Sequence, residues 1–228
     1  MTRIAIAQTT TGIDPAANAD ALAVAARQAA EGGAAMLFTP EMSGLLDRDR
    51  KRAAPHVAAE GDNPVLAKMR DEARATGLWI ALGSLAVKRQ DGRWANRAFV
   101  IDPDGQIAAR YDKIHMFDVE LGGSDDWRES SAYEPGNQVV VVPDTPVGRL
   151  GLSICYDIRF PALYEALGRA GCDAIAIPAA FTVPTGEAHW HIMQRARAIE
   201  ASAFVIAAAQ VGDHVDGRST YGHSLVID

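Results

Sequence analysis

Two cysteines in 228 residues are too few for a disulfide framework, and Cys155 and Cys172 stand at no framework spacing. With no secretory leader ahead of the first apolar stretch, both are expected to be reduced and the protein cytoplasmic. No apolar run approaches the length of a membrane span, so no membrane partner is expected. Basic residues are outnumbered, 22 Lys and Arg against 29 Asp and Glu, for a formal net charge of -7. The densest basic patch, residues 48–52, is interrupted by Asp49, so no nucleic-acid footprint is present. Short-period repeats, low-complexity linkers and breaks in composition are missing too, and residues 1–228 read as one domain.

What is present is an ordinary globular balance, 48% hydrophobic and 22% charged, with strand and helix patterns in alternation. Residues 3–8 read as a strand, and 18–31 as a helix with Leu22, Ala25, Ala26 and Ala29 at helical spacing, stopped by Gly32-Gly33. A second strand, 35–39, ends at Pro40-Glu41. Asn63-Pro64 opens a helix to residue 76, Gly77 ends it, and 78–82 is a strand. Residues 96–101 and 106–111 form a hairpin around Asp102-Pro103-Asp104-Gly105 that leads into Asp112-Lys113.

Residues 115–137 have no period, hold Gly122-Gly123 and Asp125-Asp126, and are too long for an idle connection, so they read as a site-forming loop. Strands follow at 139–142 and 149–154, a helix at 160–170 with Phe160, Leu163, Tyr164 and Leu167 on one face, and a strand at 173–178. A helix at 187–201 is expected to turn Ile192, Ala196 and Ile199 inward and to leave Arg195 and Arg197 available to solvent or ion pairs. Strands at 204–209 and 224–227 complete an α/β layered fold with a mixed sheet.

The centre of this pattern is the run from Gly148 to Pro161, where an aliphatic strand stops at Cys155 and a proline marks the first turn of a helix. Unpaired N–H groups at such a corner can bind a developing negative charge, and they favour thiolate over thiol. The bland alternative is a buried, inert cysteine, and Cys172, after a glycine at a helix end, is read that way. Gly151-Leu152-Ser153-Ile154 begins like a serine-hydrolase elbow, but Cys155 replaces the closing glycine and Ser153 falls within the strand. His115, His189, His191 and His223 lie in no recognisable cysteine-protease segment. His189 and His191, two apart on a helix, point to different sides and make a poor zinc pair.

Glu41, Lys113 and Cys155 each stand at the end of a predicted strand, where the side chains of layered α/β folds gather at one end of a sheet. The segments Thr39-Pro40-Glu41, Asp112-Lys113-Ile114-His115 and Cys155-Tyr156-Asp157-Ile158-Arg159-Phe160-Pro161 resemble, in order and separation, the three signatures of the nitrilase, or carbon-nitrogen hydrolase, superfamily. The resemblance implies a four-layer α-β-β-α sandwich that cleaves non-peptide C–N bonds with no cofactor or metal. It implies Glu41 as general base, Lys113 as electrophilic partner, Cys155 as nucleophile and the Tyr156 N–H as an oxyanion donor. A second family glutamate, seven residues before the glycine of a Pro-Gly pair, falls on Glu129 through Pro135-Gly136, in preference to Glu134.

The segments 181–190, 195–200, 207–210 and 219–224 are similar to an amidase branch acting on small anionic 2-oxo acids that carry a terminal amide. Deaminated glutathione is the expected substrate type; 2-oxoglutaramate, another aliphatic amide or a carbamoyl amide are the alternatives, and an idle binding scaffold is the non-enzyme one. An anionic substrate asks for a cation besides Lys113, and Arg159 is the candidate, with His115 as a hydrogen-bond donor and Phe181 and Thr182 lining the pocket. The alternative for Arg159 is an ion pair with Asp157. The family further implies a homodimer, and elements beyond residues 224–228 that this sequence lacks.

Overall fold

The computed structural model describes residues 2–119 and 127–228. Strand β1 (Ile4–Ile6) leads to helix α1 (Pro15–Glu31), β2 (Met36–Phe38), a short α2 (Arg50–Ala53) and α3 (Pro64–Thr76). Then come β3 (Trp79–Lys88), β4 (Trp94–Ile101), β5 (Ile107–Asp112) and the short pair β6 (Asp118–Val119) and β7 (Trp127–Arg128). After β8 (Val141–Thr145) and β9 (Gly148–Leu152) follow α4 (Pro161–Arg169), β10 (Ala174–Ala176) and α5 (Val183–Ala201). The last strands are β11 (Phe204–Ala207), β12 (Val211–Asp213), β13 (Ser219–Tyr221) and β14 (Leu225–Ile227).

Two five-stranded sheets result, in the orders β1-β2-β3-β4-β5 and β14-β11-β10-β9-β8. In the first sheet β1, β2 and β3 run parallel and β3, β4 and β5 pair antiparallel; in the second β9, β10 and β11 run parallel and the edge strands β8 and β14 antiparallel, which is the mixed pairing expected from the alternation. Met36 and Phe38 face the second sheet while Leu37 between them faces the helices, as the period of two requires. Across the seam, Phe38, Ala81 and Ala98 meet Leu152, Ala176 and Ile206. Gly151 looks the other way, toward Leu167 and the Cys172 sulfur.

The outer layers follow from amphipathic patterning. Helix α1 buries Ala19, Leu22, Ala23, Ala26 and Ala29, and packs with α3 over Leu37, Ile80, Leu82, Phe99 and Ile101. Each fully buried Leu, Ile or Phe contributes about 1.5–3 kcal/mol relative to exposure. Helix α3 starts as the sequence signals, with Asn63 accepting the Leu66 N–H at 3.0 Å, and it stops at Gly77, which takes a left-handed φ of 70°. With α4 and α5 on the second sheet the order is α-β-β-α, the expected sandwich.

The structure corrects several expected elements. Strand β3 runs on to Lys88 because a register shift between Leu82 and Leu85 breaks the period of two that ended the predicted strand. Helix α5 begins four residues earlier than expected, at Val183 rather than residue 187, and is rotated relative to the predicted phase. Ile192 and Ile199 are exposed, at 73% and 78%, whereas Trp190, Gln194, Arg197, Ala198 and Ala201 face inward. Arg197 tolerates burial because its Nε donates to the Ile158 carbonyl at 2.7 Å and its guanidinium lies over the Tyr164 ring.

The described residues of the segment 115–137 have structure of their own: β6 pairs with β7, and a 3-10 turn follows at Glu129–Ser131. Gly122, Gly123, Asp125 and Asp126 lie outside the described residues. Both cysteines are free and buried. Among the described residues no helix is long and apolar enough to cross a membrane.

Candidate active site

The C-terminal ends of strands from both sheets converge on one buried cluster. Glu41 sits in the turn after β2, which is pinned by Ser43 Oγ donating to the Pro40 carbonyl at 2.6 Å and by Gln210 Nε2 donating to the Glu41 carbonyl at 3.0 Å. Lys113 directly follows β5 and stays in register with β4, its N–H donating to the Asn96 carbonyl at 2.9 Å. Glu129 opens the 3-10 turn after β7. All three side chains are buried, at 7% exposure or less.

Lys113 Nζ donates to Glu41 Oε1 at 3.0 Å and to Glu129 Oε2 at 2.8 Å. Asn96 Nδ2 donates to the Oε1 atoms of the same two glutamates, at 2.9 and 3.1 Å, and the Phe117 N–H donates to Glu129 Oε2 at 2.7 Å. Burial opposes the charge on Lys113, but Glu129 and then Glu41, with Cys155, outweigh it and hold the ammonium well above its usual pKa. It stays charged.

Cys155 starts a five-residue 3-10 turn, Cys155–Arg159, with α4 beginning only at Pro161. The expected corner is therefore a tight turn before the helix, not the helix terminus itself. Its φ of 48° is left-handed, a conformation that costs a non-glycine residue about 1 kcal/mol or more, and it is held by the Cys155 N–H donating to the Pro178 carbonyl at 2.8 Å. The thiol faces Glu41 and the Ala180 N–H, both of which act on it. Burial and then the negative Glu41 push its pKa well up, with Lys113 pulling partly back, so the resting group is a thiol and the thiolate-favouring corner read from the sequence is overridden. The Tyr156 N–H has no backbone acceptor among the described residues.

Asp157, fully buried, ties the two halves of the site together. Its Oδ2 accepts the Ile154 N–H at 2.9 Å and the Tyr111 hydroxyl at 2.6 Å, and its Oδ1 accepts the His115 N–H at 3.0 Å and faces His115 Nδ1 at 2.7 Å. His115 stacks flat on Phe160 with ring centroids 3.6 Å apart. Its Nδ1 is thus taken up by Asp157, which leaves the expected donor role to the rest of the ring.

Arg159 makes no ion pair with Asp157. Its guanidinium lies 5.7 Å from the ring centroids of both Tyr156 and Phe181 and contacts His189 Nδ1 at 3.3 Å. No carboxylate among the described residues is within ion-pair distance of it. Phe181 is buried against Trp190, while Thr182 is exposed and bonded through its hydroxyl to Thr185 at 2.8 Å. Glu134 pairs with Arg93 at 2.7 Å at the surface, away from Lys113. His189 and His191 diverge, the first to Arg159 and the second to the rings of Tyr221 and His223. Ser153, just past β9, is bonded to the Ala176 carbonyl at 2.9 Å and accepts the Tyr164 hydroxyl at 3.0 Å.

Asn96 and the Asp157 network went unassigned from sequence. The readable signal for Asn96 was a lone carboxamide among apolar residues of a strand, one that only the glutamates from other segments explain.

Residues 3–228 match the family model described as carbon-nitrogen hydrolase. A deaminated glutathione amidase of Yersinia enterocolitica is 43% identical over 199 residues, 86% of this chain and 69% of that protein. The Caenorhabditis elegans NitFhit crystal structure superposes with a TM-score of 0.90 at 36% identity, covering 100% of this chain and 57% of that one. An amidase from Nesterenkonia sp. AN1, in a mutant showing the Michael addition of acrylamide at its active-site cysteine, superposes with a TM-score of 0.82 at 28% identity, covering 100% and 85%.

Proposed function

The chain belongs to the carbon-nitrogen hydrolase family and is a hydrolase of amide C–N bonds, and from that premise we propose that Glu41, Lys113 and Cys155 hydrolyse the terminal amide of a small 2-oxo acid of the deaminated glutathione type. The observation that carries this reading is the Lys113 ammonium held between two buried carboxylates at 3.0 and 2.8 Å, beside a thiol whose pKa is raised. A protonated thiol needs a base at the moment of attack, and Glu41 is in place to serve.

As Cys155 Sγ attacks the amide carbon, its proton passes to Glu41 and the carbonyl π pair moves onto oxygen. Lys113 Nζ and the Tyr156 N–H stabilise that oxyanion; loss of one such donor typically costs roughly 100- to 1000-fold in rate. The intermediate collapses, the C–N bond breaks, and the leaving nitrogen takes the proton from Glu41 to depart as ammonia. A thioester remains on Cys155. Glu41 next removes a proton from water as its oxygen attacks the thioester, and the C–S bond breaks with that proton returning to sulfur. Glu129 holds Lys113 in place throughout.

Arg159, between Tyr156 and Phe181 and with no carboxylate partner among the described residues, is the residue for the substrate's carboxylate. We read residues 1–228 as one hydrolase domain and the protein as a cytoplasmic homodimer; the exposed Ile192 and Ile199 on α5 support self-association, which sedimentation tests.

The deciding experiment is ammonia release from deaminated glutathione, 2-oxoglutaramate and an aliphatic nitrile by the wild type and Cys155→Ala. Strong release from deaminated glutathione, abolished in Cys155→Ala, is expected. A preference for 2-oxoglutaramate transfers the substrate assignment, and release that survives Cys155→Ala overturns the mechanism.

A further inference from the structure

We infer that Asn96 is a positioning residue of the hydrolysis: its single carboxamide nitrogen sets the spacing and orientation of Glu41 and Glu129 around Lys113. The inference rests on the roles proposed above for Glu41 and Lys113.

The pairing of β4 with the end of β5 puts Asn96 beside Lys113, whose N–H donates to the Asn96 carbonyl at 2.9 Å. The two side chains then address the same pair of acids. Asn96 Nδ2 donates one hydrogen to Glu41 Oε1 at 2.9 Å and one to Glu129 Oε1 at 3.1 Å; Lys113 Nζ donates to Glu41 Oε1 at 3.0 Å and Glu129 Oε2 at 2.8 Å. A closed ring of four side chains results, in which each carboxylate receives one amide and one ammonium hydrogen bond.

The carboxamide presents its nitrogen, not its oxygen, to both acids. Asn96 Oδ1 is buried and has no hydrogen-bond partner among the described residues. Leaving an acceptor unpaired in the interior costs free energy, and a simple turn of the amide would bring Oδ1 to the glutamates. That turn is favourable only if a glutamate carries a proton to donate. Against two ionised acids it sets acceptor against acceptor, so the amide keeps both hydrogens on them and forfeits its oxygen.

Charge balance explains the need. Two carboxylates against one ammonium leave one negative charge over in a buried site, and neutral donors must carry it: Asn96 Nδ2 for both acids and the Phe117 N–H for Glu129. Among the described residues the other titratable groups that face this cluster are neutral, and the positive charges of Arg218 and Arg50 reach it through Tyr133. Cys155 is a thiol facing Glu41, and Tyr133 is a buried phenol pushed up by burial and then by Glu129 and Glu41, with Arg218 and Arg50 acting on it in the opposite sense.

The test follows the pH dependence of two reactions, amide hydrolysis and alkylation of Cys155 by iodoacetamide, in the wild type, Asn96→Asp and Asn96→Ser. A third carboxylate in Asn96→Asp forces a proton onto the cluster. Its acid limb is expected to move at least one pH unit upward in both reactions, with kcat down roughly 100-fold and KM within threefold, because Asn96 does not touch substrate. Asn96→Ser, which keeps one donor and adds no charge, is expected to move the limb in the same direction by less, and is the variant to read if Asn96→Asp does not fold. Acid limbs that stay in place in the folded variants, or kcat and KM that change together in step with the melting temperature, overturn the inference. Alkylation needs no amide substrate, so a limb that moves in alkylation upholds the role of Asn96 even where the substrate assignment fails.

Discussion

Tyr111 donates its hydroxyl to Asp157 at 2.6 Å, and through that bond the strand that ends in Lys113 is fastened to the corner that carries Cys155. Asp157 also holds the Ile154 N–H and both His115 nitrogens that face it, so one buried carboxylate fixes the Lys113 segment and the Cys155 turn together. Burial, followed by the charge of Asp157, keeps Tyr111 protonated as the donor far above the ordinary phenol range.

Asp157→Ala is expected to destabilise the protein by about 3 kcal/mol, because four donors lose a buried acceptor. For a chain of this size each kcal/mol is worth roughly 2–4 °C, so thermal melting checks the value. Asp157→Asn keeps the shape and is expected to cost less, with activity reduced more than stability.

The two cysteines are expected to differ in reactivity. Burial pushes the Cys172 thiol up to about 11, with Arg149 pulling partly back and Asp173 adding to the rise, and Cys155 is raised as well but sits beside both Glu41 and Lys113. Iodoacetamide at pH 7–8 is expected to label Cys155 alone, with a rate that does not level off near the ordinary thiol pKa of about 8.5. Mass spectrometry of the wild type and Cys155→Ala reads this directly; preferential labelling of Cys172 in the wild type contradicts it.

His214 gives the fold an acid sensitivity of known sign. Its Nδ1 faces the Thr11 carbonyl at 2.9 Å and its Nε2 faces Thr220 Oγ1 at 2.7 Å, partners that suit the neutral ring, and burial lowers its pKa below the usual value. The unfolded chain takes up this proton near pH 6.5 and the folded one does not, so the stabilisation is complete above pH 6.5 and is lost as pH falls below it. Urea midpoints at pH 7.5 and 5.5 are expected to differ less in His214→Gln than in the wild type.

Gly83 permits the closest approach of the two sheets beneath the site. A Cβ there would lie 2.0 Å from the Thr39 carbonyl oxygen and 2.6 Å from Pro178 Cβ. Gly83→Ala is expected to cost about 3 kcal/mol and to abolish activity, since Thr39 and Pro178 lead into the turns that carry Glu41 and the Ala180 amide. Gly61→Ala, in open space, is the control expected to stay within about 0.5 kcal/mol by chemical denaturation.

Glu41, Lys113 and Cys155 were readable as strand ends, and their grouping into one set came from the resemblance of their three segments to the family's signatures. Asn96 was not, because its partners lie 55 and 33 residues away and a strand pattern records only the face, never who stands opposite. The phase of α5 was misread for a related reason. Isoleucine is the better inward residue on any hydropathy scale, but Arg197 finds the Ile158 carbonyl and the Tyr164 ring, which no local pattern shows. The turn at Cys155 was legible as a corner, while its 3-10 form and positive φ depend on Pro178, from the next strand over.

Because Glu41 and Lys113 follow strands of one five-stranded sheet and Cys155 follows a strand of the other, the thiol meets Glu41 only after both halves have docked. During synthesis and refolding the chain therefore carries a cysteine no more reactive than any other. The chemistry is armed by assembly, and its appearance in a refolding time course marks the last step of folding, not the first.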